Sequence, residues 1–304
     1  MTNNHTNKTL ALLTVMRPQQ WIKNVFVCAP LLFSGQFRDQ AMCFRTALAF
    51  IGFCVVSSAI YAINDVCDRR EDQQHPVKKN RPIARGTVGV NSALLMSGTL
   101  IILGLLLAGY INTLFLAIVL LYILIHIVYS LILKHVAILD VMTIAGGFVL
   151  RILGGSVAIA VSPSHWLVLC TIMISMFLGF TKRRAELIAL DANSEYTRLV
   201  LKDYSTAFLD QVISIVTAAT IVCYALYTVD AHTLEVLGSR GMLLTVPSVI
   251  YGLFRYIYLI YHRKKGQDPT ITLFCDLPTI CNLIIWTIIS FLIVNYGSQL
   301  QLFK

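Results

Sequence analysis

Charge is scarce in this chain. Only 13% of its 304 residues are Asp, Glu, Lys or Arg, against about 25% in a soluble domain of this size. Together with 57% hydrophobic residues, that scarcity excludes a water-soluble fold and implies an all-α, polytopic membrane protein. No C-x-x-C pair is present, and most of the eight cysteines fall inside apolar runs. They read as reduced, small apolar residues, which argues against a disulfide framework or a zinc site. The net charge of +9 is not gathered in a basic domain with interleaved aromatics, so nucleic acid is not an expected partner. There is no signal-peptide core with a small-residue cleavage site, no low-complexity segment and no strong internal repeat. The chain reads as one integral-membrane domain over 1–304 with a polar tail at 1–14.

A hydrocarbon core about 30 Å thick needs roughly 20 residues of helix. Runs of about that length occupy 15–34, 46–66, 92–110, 113–133, 138–160, 165–181, 208–229, 243–262 and 278–297, which predicts nine spans. Arg17, Pro18 and Lys23 break the first of them. With the N-terminus inside, the inner connections hold 17 Lys and Arg, including six in 67–91 and five in 182–207. The outer ones hold four: Arg38, Arg45, Arg240 and Lys304. Such a bias places 67–91 on the cytoplasmic face of the inner membrane. Lys23, Arg151 and Arg255 stay within spans, where a charge is expensive and faces a polar cavity or a buried partner. Arg151 is expected as structure, against polar backbone or Glu/Asp; Asp140 is a candidate partner for Lys134; Asp210 opens the seventh span as a cap or a cavity residue.

The densest acidic stretch is Asn64-Asp65-Val66-Cys67-Asp68-Arg69-Arg70-Glu71-Asp72. If the helix of the second run continues through it, Asp65, Asp68 and Asp72 stand at i, i+3 and i+7 on one face. Three carboxylates on one face repel one another unless a cation sits among them, and oxygen ligands suit Mg2+. His75, Lys78, Lys79, Arg81 and Arg85 follow at once. Acids for a metal are thus succeeded by cations for phosphate. A solvated charge run at the membrane edge is the plainer alternative.

Asn64-Asp65-x-x-Asp68-x-x-x-Asp72 closing the second run and Tyr129-x-x-x-x-Lys134 closing the fourth resemble the UbiA superfamily of intramembrane prenyltransferases. The resemblance implies a nine-helix bundle with a central cavity facing the cytoplasm, and an acidic motif that binds Mg2+ and a diphosphate. Where the family has a second aspartate motif after the sixth run, this chain has Lys182-Arg183-Arg184-Ala185-Glu186-Leu187. That departure is similar to one branch, the decaprenyl-phosphate phosphoribosyltransferases. So are Arg17-Pro18-x-Gln20-Trp21-x-Lys23-Asn24, His75-Pro76-x-Lys78, Arg81-Pro82-Ile83-Ala84, Tyr129-Ser130, Leu133-Lys134-His135 and Gly147-Phe148-x-x-Arg151. Cys275-Asp276-Leu277-Pro278 keeps an acid and a proline without flanking arginines.

The branch implies transfer of 5-phosphoribosyl from phosphoribosyl diphosphate to a polyprenyl phosphate lipid. Asp65 and Asp68 would be catalytic and would hold Mg2+ with Asp72, while Lys23, Asn64, Lys78, Arg81, Tyr129, Lys134, Lys182 and Arg183 would bind substrate. Such a reaction gathers a diphosphate, a 5-phosphate and a lipid phosphate. It therefore needs more cations than prenyl transfer, and exchanging acids for Lys182, Arg183 and Arg184 moves the balance that way. A conventional prenyltransferase acting on an aromatic or glycerophosphate acceptor is the nearest alternative. A transporter is a third, but it predicts ionisable residues near the membrane midplane, and these clusters crowd the inner boundary.

Overall fold

The computed structural model describes residues 2–75, 77–190, 199–237, 239–263 and 275–300. Among them there is no strand. Among the described residues eight helices are long and apolar enough to cross a membrane: Gln40–Cys67, Val90–Ile111, Thr113–Leu131, Leu139–Ala158, His165–Ile188, Thr206–Val229, Arg240–His262 and Leu277–Tyr296. Each matches one of the sequence runs to within a few residues, apart from an earlier start in Gln40–Cys67 and a later end in His165–Ile188.

The first run, 15–34, is the exception. It is not one helix but the end of α1 (Thr2–Met16), a 3-10 segment at Pro18–Cys28, and α2 (Ala29–Phe33). The residue before a proline is pushed out of the α region, and Arg17 adopts a left-handed conformation with φ 51°. The polar tail is helical too, because the end of α1 buries Val15 with Ala11 and Leu12 against Ala62, Ile83 and Val88.

The chain falls into two compact units. The first comprises Met1–Leu31, Asp39–Thr143 and Leu150–Val161. It contains α3 (Gln40–Cys67), α4 (Arg69–Gln74), α5 (Val90–Ile111) and α6 (Thr113–Leu131), with most of α7 (Leu139–Ala158). Its core gathers Val27, Phe53, Val56, Phe115, Val119 and Tyr122. Phe53 meets Phe115 and Tyr122 edge-on at centroid distances of 5.8 and 5.3 Å. Gly155 of α7 is required by close approach, since a β-carbon there would land on the Val27 carbonyl oxygen.

The second unit comprises Leu32–Arg38, Ile144–Val149 and Ser162–Lys304. It contains α8 (His165–Leu190), α9 (Thr206–Val229), α10 (Ala231–Leu237), α11 (Val246–Arg263) and α12 (Leu277–Leu300). Tyr227, Met242 and Ile293 form its core with Phe33, Trp166 and Tyr224. The motif Lys182 to Leu187 lies on the helix of the sixth span, which runs on to Leu190.

Candidate active site

In the first unit α3 ends at Cys67 and α4 begins at Arg69, with Asp68 between them. Helical hydrogen bonding carries across the junction, from Asp68 N–H to the Asn64 carbonyl at 2.8 Å and from Asp72 N–H to the Asp68 carbonyl at 2.8 Å. The helical register expected for Asp65, Asp68 and Asp72 is therefore kept. All three are buried, at 2%, 4% and 3% exposure, so they do not form a solvated charge run.

Buried carboxylates need cations. Arg17 donates to Asp65, and Arg81 donates to Asp65 at 3.1 Å and to Asp72 at 2.6 Å. Lys134, itself buried, donates to Asp68. Asn64 donates to Asp68 at 2.8 Å and accepts from Ser130 at 3.2 Å, which ties α6 to the acidic face. The cations arrive by different routes. Arg17 is delivered by the break before Pro18. Arg81 is delivered by the loop after α4, which returns because Ile83, Ala84 and Val88 are buried and Gln73 donates to the Ala84 carbonyl at 3.2 Å. Lys134 sits in a 3-10 turn, Leu133–His135, where α6 has ended.

Arg17 lies outside the expected site residues, although it opens the motif Arg17-Pro18-x-Gln20-Trp21-x-Lys23-Asn24. The partner of Lys134 is Asp68, where neighbourhood in sequence had suggested Asp140. Tyr129 is partly exposed near the end of α6, Lys23 lies in the 3-10 segment beside Asn24, and Lys78 opens the turn Lys78–Asn80.

Oxygen donors of this kind suit Mg2+. Arg81, bonded to both Asp65 and Asp72, shows that the space between these two carboxylates takes positive charge. Among the described residues, however, no group of three His, Cys, Asp or Glu stands in an arrangement that could hold a metal ion. Asp65, Asp68, Asp72 and the Asn64 amide fit the ion by chemistry, with arginine and lysine as their partners in this structure.

The second unit holds the basic motif. Arg183, at 2% exposure, donates to Glu186 at 2.6 Å. Lys182 is more exposed, with Glu186 4.0 Å away. Arg184 donates to Asp210 and lies 3.7 Å over the ring of Tyr261, whose hydroxyl donates to the same carboxylate at 2.6 Å. Asp210 is thus a tie between three helices, and the cap of α9 is Ser205 instead. Asp276 accepts two bonds from Arg255, at 3.0 and 2.8 Å, and caps α12 by accepting from Thr279 N–H and hydroxyl. Those bonds hold the Asp276 carboxyl well below the ordinary carboxylate range, the paired guanidinium being the largest cause.

Residues 25–276 match the UbiA prenyltransferase family. The decaprenyl-phosphate phosphoribosyltransferase of Mycolicibacterium smegmatis is 32% identical over 88% of this chain and 87% of its own. The protein of the same name from Corynebacterium glutamicum is 33% identical over 72% of this chain and 67% of its own. In fold, the chain is similar to a UbiA homolog from Archaeoglobus fulgidus bound to GPP and Mg2+, with a TM-score of 0.69, 18% identity, and 96% and 99% of the two chains covered. A digeranylgeranylglyceryl phosphate synthase gives a TM-score of 0.66 at 19% identity, over 96% of this chain and 99% of that one. This membrane-spanning chain belongs to the UbiA prenyltransferase family, and relatives at 32% and 33% identity are decaprenyl-phosphate phosphoribosyltransferases.

Proposed function

We propose that the chain transfers 5-phosphoribosyl from phosphoribosyl diphosphate to a polyprenyl phosphate, with Mg2+ as cofactor, releasing diphosphate. The observation that carries this reading is the buried basic pair Arg183 and Arg184 beside Lys182, at the place where the resemblance to the wider family implies acids. The named relatives at 32% and 33% identity support it.

An oxygen of the lipid phosphate attacks C1 of the ribose, and the C1–O bond to diphosphate breaks. Asp65 and Asp68, with Asn64 and Asp72 in support, would hold the metal. When bound, Mg2+ would neutralise charge building on the leaving diphosphate. Arg17, Arg81 and Lys134 already stand against those acids and, with Lys23, Lys78 and Tyr129, would hold phosphate oxygens. Arg is suited to the bidentate grip and Lys to a point charge. Lys182 and Arg183 would take an anion that prenyl donors lack, either the 5-phosphate or the acceptor's phosphate. A phosphate monoester has a second pKa of about 6 and is largely dianionic near neutral pH. The acceptor therefore needs positioning more than a general base.

Purified protein given phosphoribosyl diphosphate, Mg2+ and polyprenyl phosphate should release diphosphate and form a lipid-linked pentose phosphate. Joining a prenyl diphosphate to an aromatic acid instead would replace this reading with conventional prenyl transfer. The site is proposed to face the cytoplasm from the inner membrane, as one transferase domain over 1–304. A Lys79→Cys probe labelled only from outside intact cells would overturn that orientation.

A further inference from the structure

A second polar cluster in the first unit lies inside the apolar core. Arg151 of α7 is 3% exposed and donates from Nε to Asn24 Oδ1 at 2.7 Å and from Nη2 to the Tyr122 hydroxyl at 2.7 Å. Its guanidinium carbon stands 4.9 Å from the Tyr122 ring centre. Asn24, fully buried, turns its amide nitrogen to Cys54 Sγ and Ser57 Oγ, both at 3.2 Å. One charged fork therefore joins α6 and α7 to the segment Pro18–Cys28, and the Asn24 amide joins that segment to α3.

That segment has little help from regular structure. It is a 3-10 stretch entered through a left-handed Arg17, and 3-10 runs of more than three or four residues are uncommon because their hydrogen bonds are poorer. A side-chain bond from Trp21 Nε1 to Ser58 Oγ at 2.9 Å pins it at one further point, and Ser58 in turn donates to the carbonyl of Met16, at the end of α1, at 3.0 Å. Lys23 sits between the Trp21 and Asn24 anchors. A buried guanidinium is costly inside a membrane, so a packing role that any apolar side chain could fill does not account for it.

We infer that Arg151 is a positioning residue, which fixes Asn24 through its planar fork and thereby sets where the neighbouring Lys23 presents its ammonium group to a phosphate. The inference rests on the reading of Lys23 as a phosphate ligand. It implies energetic coupling between Asn24 and Lys23 that loss of packing alone would not produce, because independent effects add.

The test is a double-mutant cycle read as affinity for magnesium diphosphate, by calorimetry on detergent-purified protein. Asn24→Ala should weaken binding by about tenfold in the wild-type background and by no more than about twofold beside Lys23→Ala. The fall in melting temperature caused by Asn24→Ala should be the same in both backgrounds. Arg151→Lys keeps the charge but not the planar fork, and should reproduce the weaker diphosphate binding. Equal binding losses in the two backgrounds would overturn the inference, as would wild-type affinity in Arg151→Lys or no diphosphate binding by the wild type. Intact coupling in a protein that transfers no phosphoribosyl group would keep the positioning role and reject the proposed reaction.

Discussion

The two charged clusters are built in opposite ways. In the first unit the acids are close together in sequence, Asp65 to Asp72, while their cations are imported from Arg17, Arg81 and Lys134. In the second the cations are contiguous, Lys182 to Arg184, and the acids lie apart, Glu186 within the same helix and Asp210 at the start of α9. Each contiguous set is the one whose sign suits a ligand, carboxylates for a divalent ion and ammonium or guanidinium groups for phosphate. The imported set compensates that charge in the protein. Changing a contiguous residue should therefore chiefly remove function, whereas changing a compensating one should cost stability as well.

The largest effect is expected in the first unit. Asp65→Asn or Asp68→Asn should lower kcat/KM by on the order of a hundredfold or more, since each removes charge at the reacting centre. The protein should still insert. Asp68→Asn should also leave Lys134 buried without its carboxylate, a change that costs about 3–5 kcal/mol when a buried pair is broken. The two variants should then lose comparable activity, with Asp68→Asn losing melting temperature as well. Normal turnover by both, or full activity in excess chelator, would remove the metal assignment.

A smaller effect is expected in the second unit. Lys182→Ala and Arg183→Ala each delete one charge-assisted contact, about 1.5–3 kcal/mol, or roughly ten- to a hundredfold in kcat/KM for phosphoribosyl diphosphate or polyprenyl phosphate. A dispensable positive-inside anchor would leave kinetics at wild type, and that result would erase the asymmetry in sign between the clusters.

This construction also explains what could be read from the sequence. The apolar runs located eight spans, because lipid-facing and core helices are apolar enough to stand out by composition. The first run is divided among α1, a 3-10 segment and α2, because its hydrophobicity says nothing of the turn forced before Pro18. The acids were legible as one helical face, since i, i+3 and i+7 are local relations. Their partners were not. Arg17 is 48 residues from Asp65 and Lys134 is 66 from Asp68, and only the folded helices bring them together. The tie between Arg184, Asp210 and Tyr261 escaped for the same reason, since nothing local joins a basic motif to an acid near the start of the next apolar helix.

The smallest effect is expected where an acid serves structure alone. Asp276 stands at a position the family resemblance had marked, yet it accepts two bonds from Arg255 and caps α12. Asp276→Asn should leave kcat/KM within about twofold of wild type, while the melting temperature falls through the lost ion pair with Arg255, Asn still being able to cap α12. The pH dependence follows from the sign of the shift. Because the folded state holds this carboxyl below its ordinary value of 3.8, its contribution is fully present above that value and fades as pH falls towards the folded one. The difference in melting temperature between wild type and Asp276→Asn should accordingly be constant from neutral pH down to about pH 5 and shrink below about pH 4. A gap that persists unchanged in acid would show that the carboxylate charge does not hold this end of α12. A large kinetic loss at neutral pH would move Asp276 from the compensating set to the ligand-binding one.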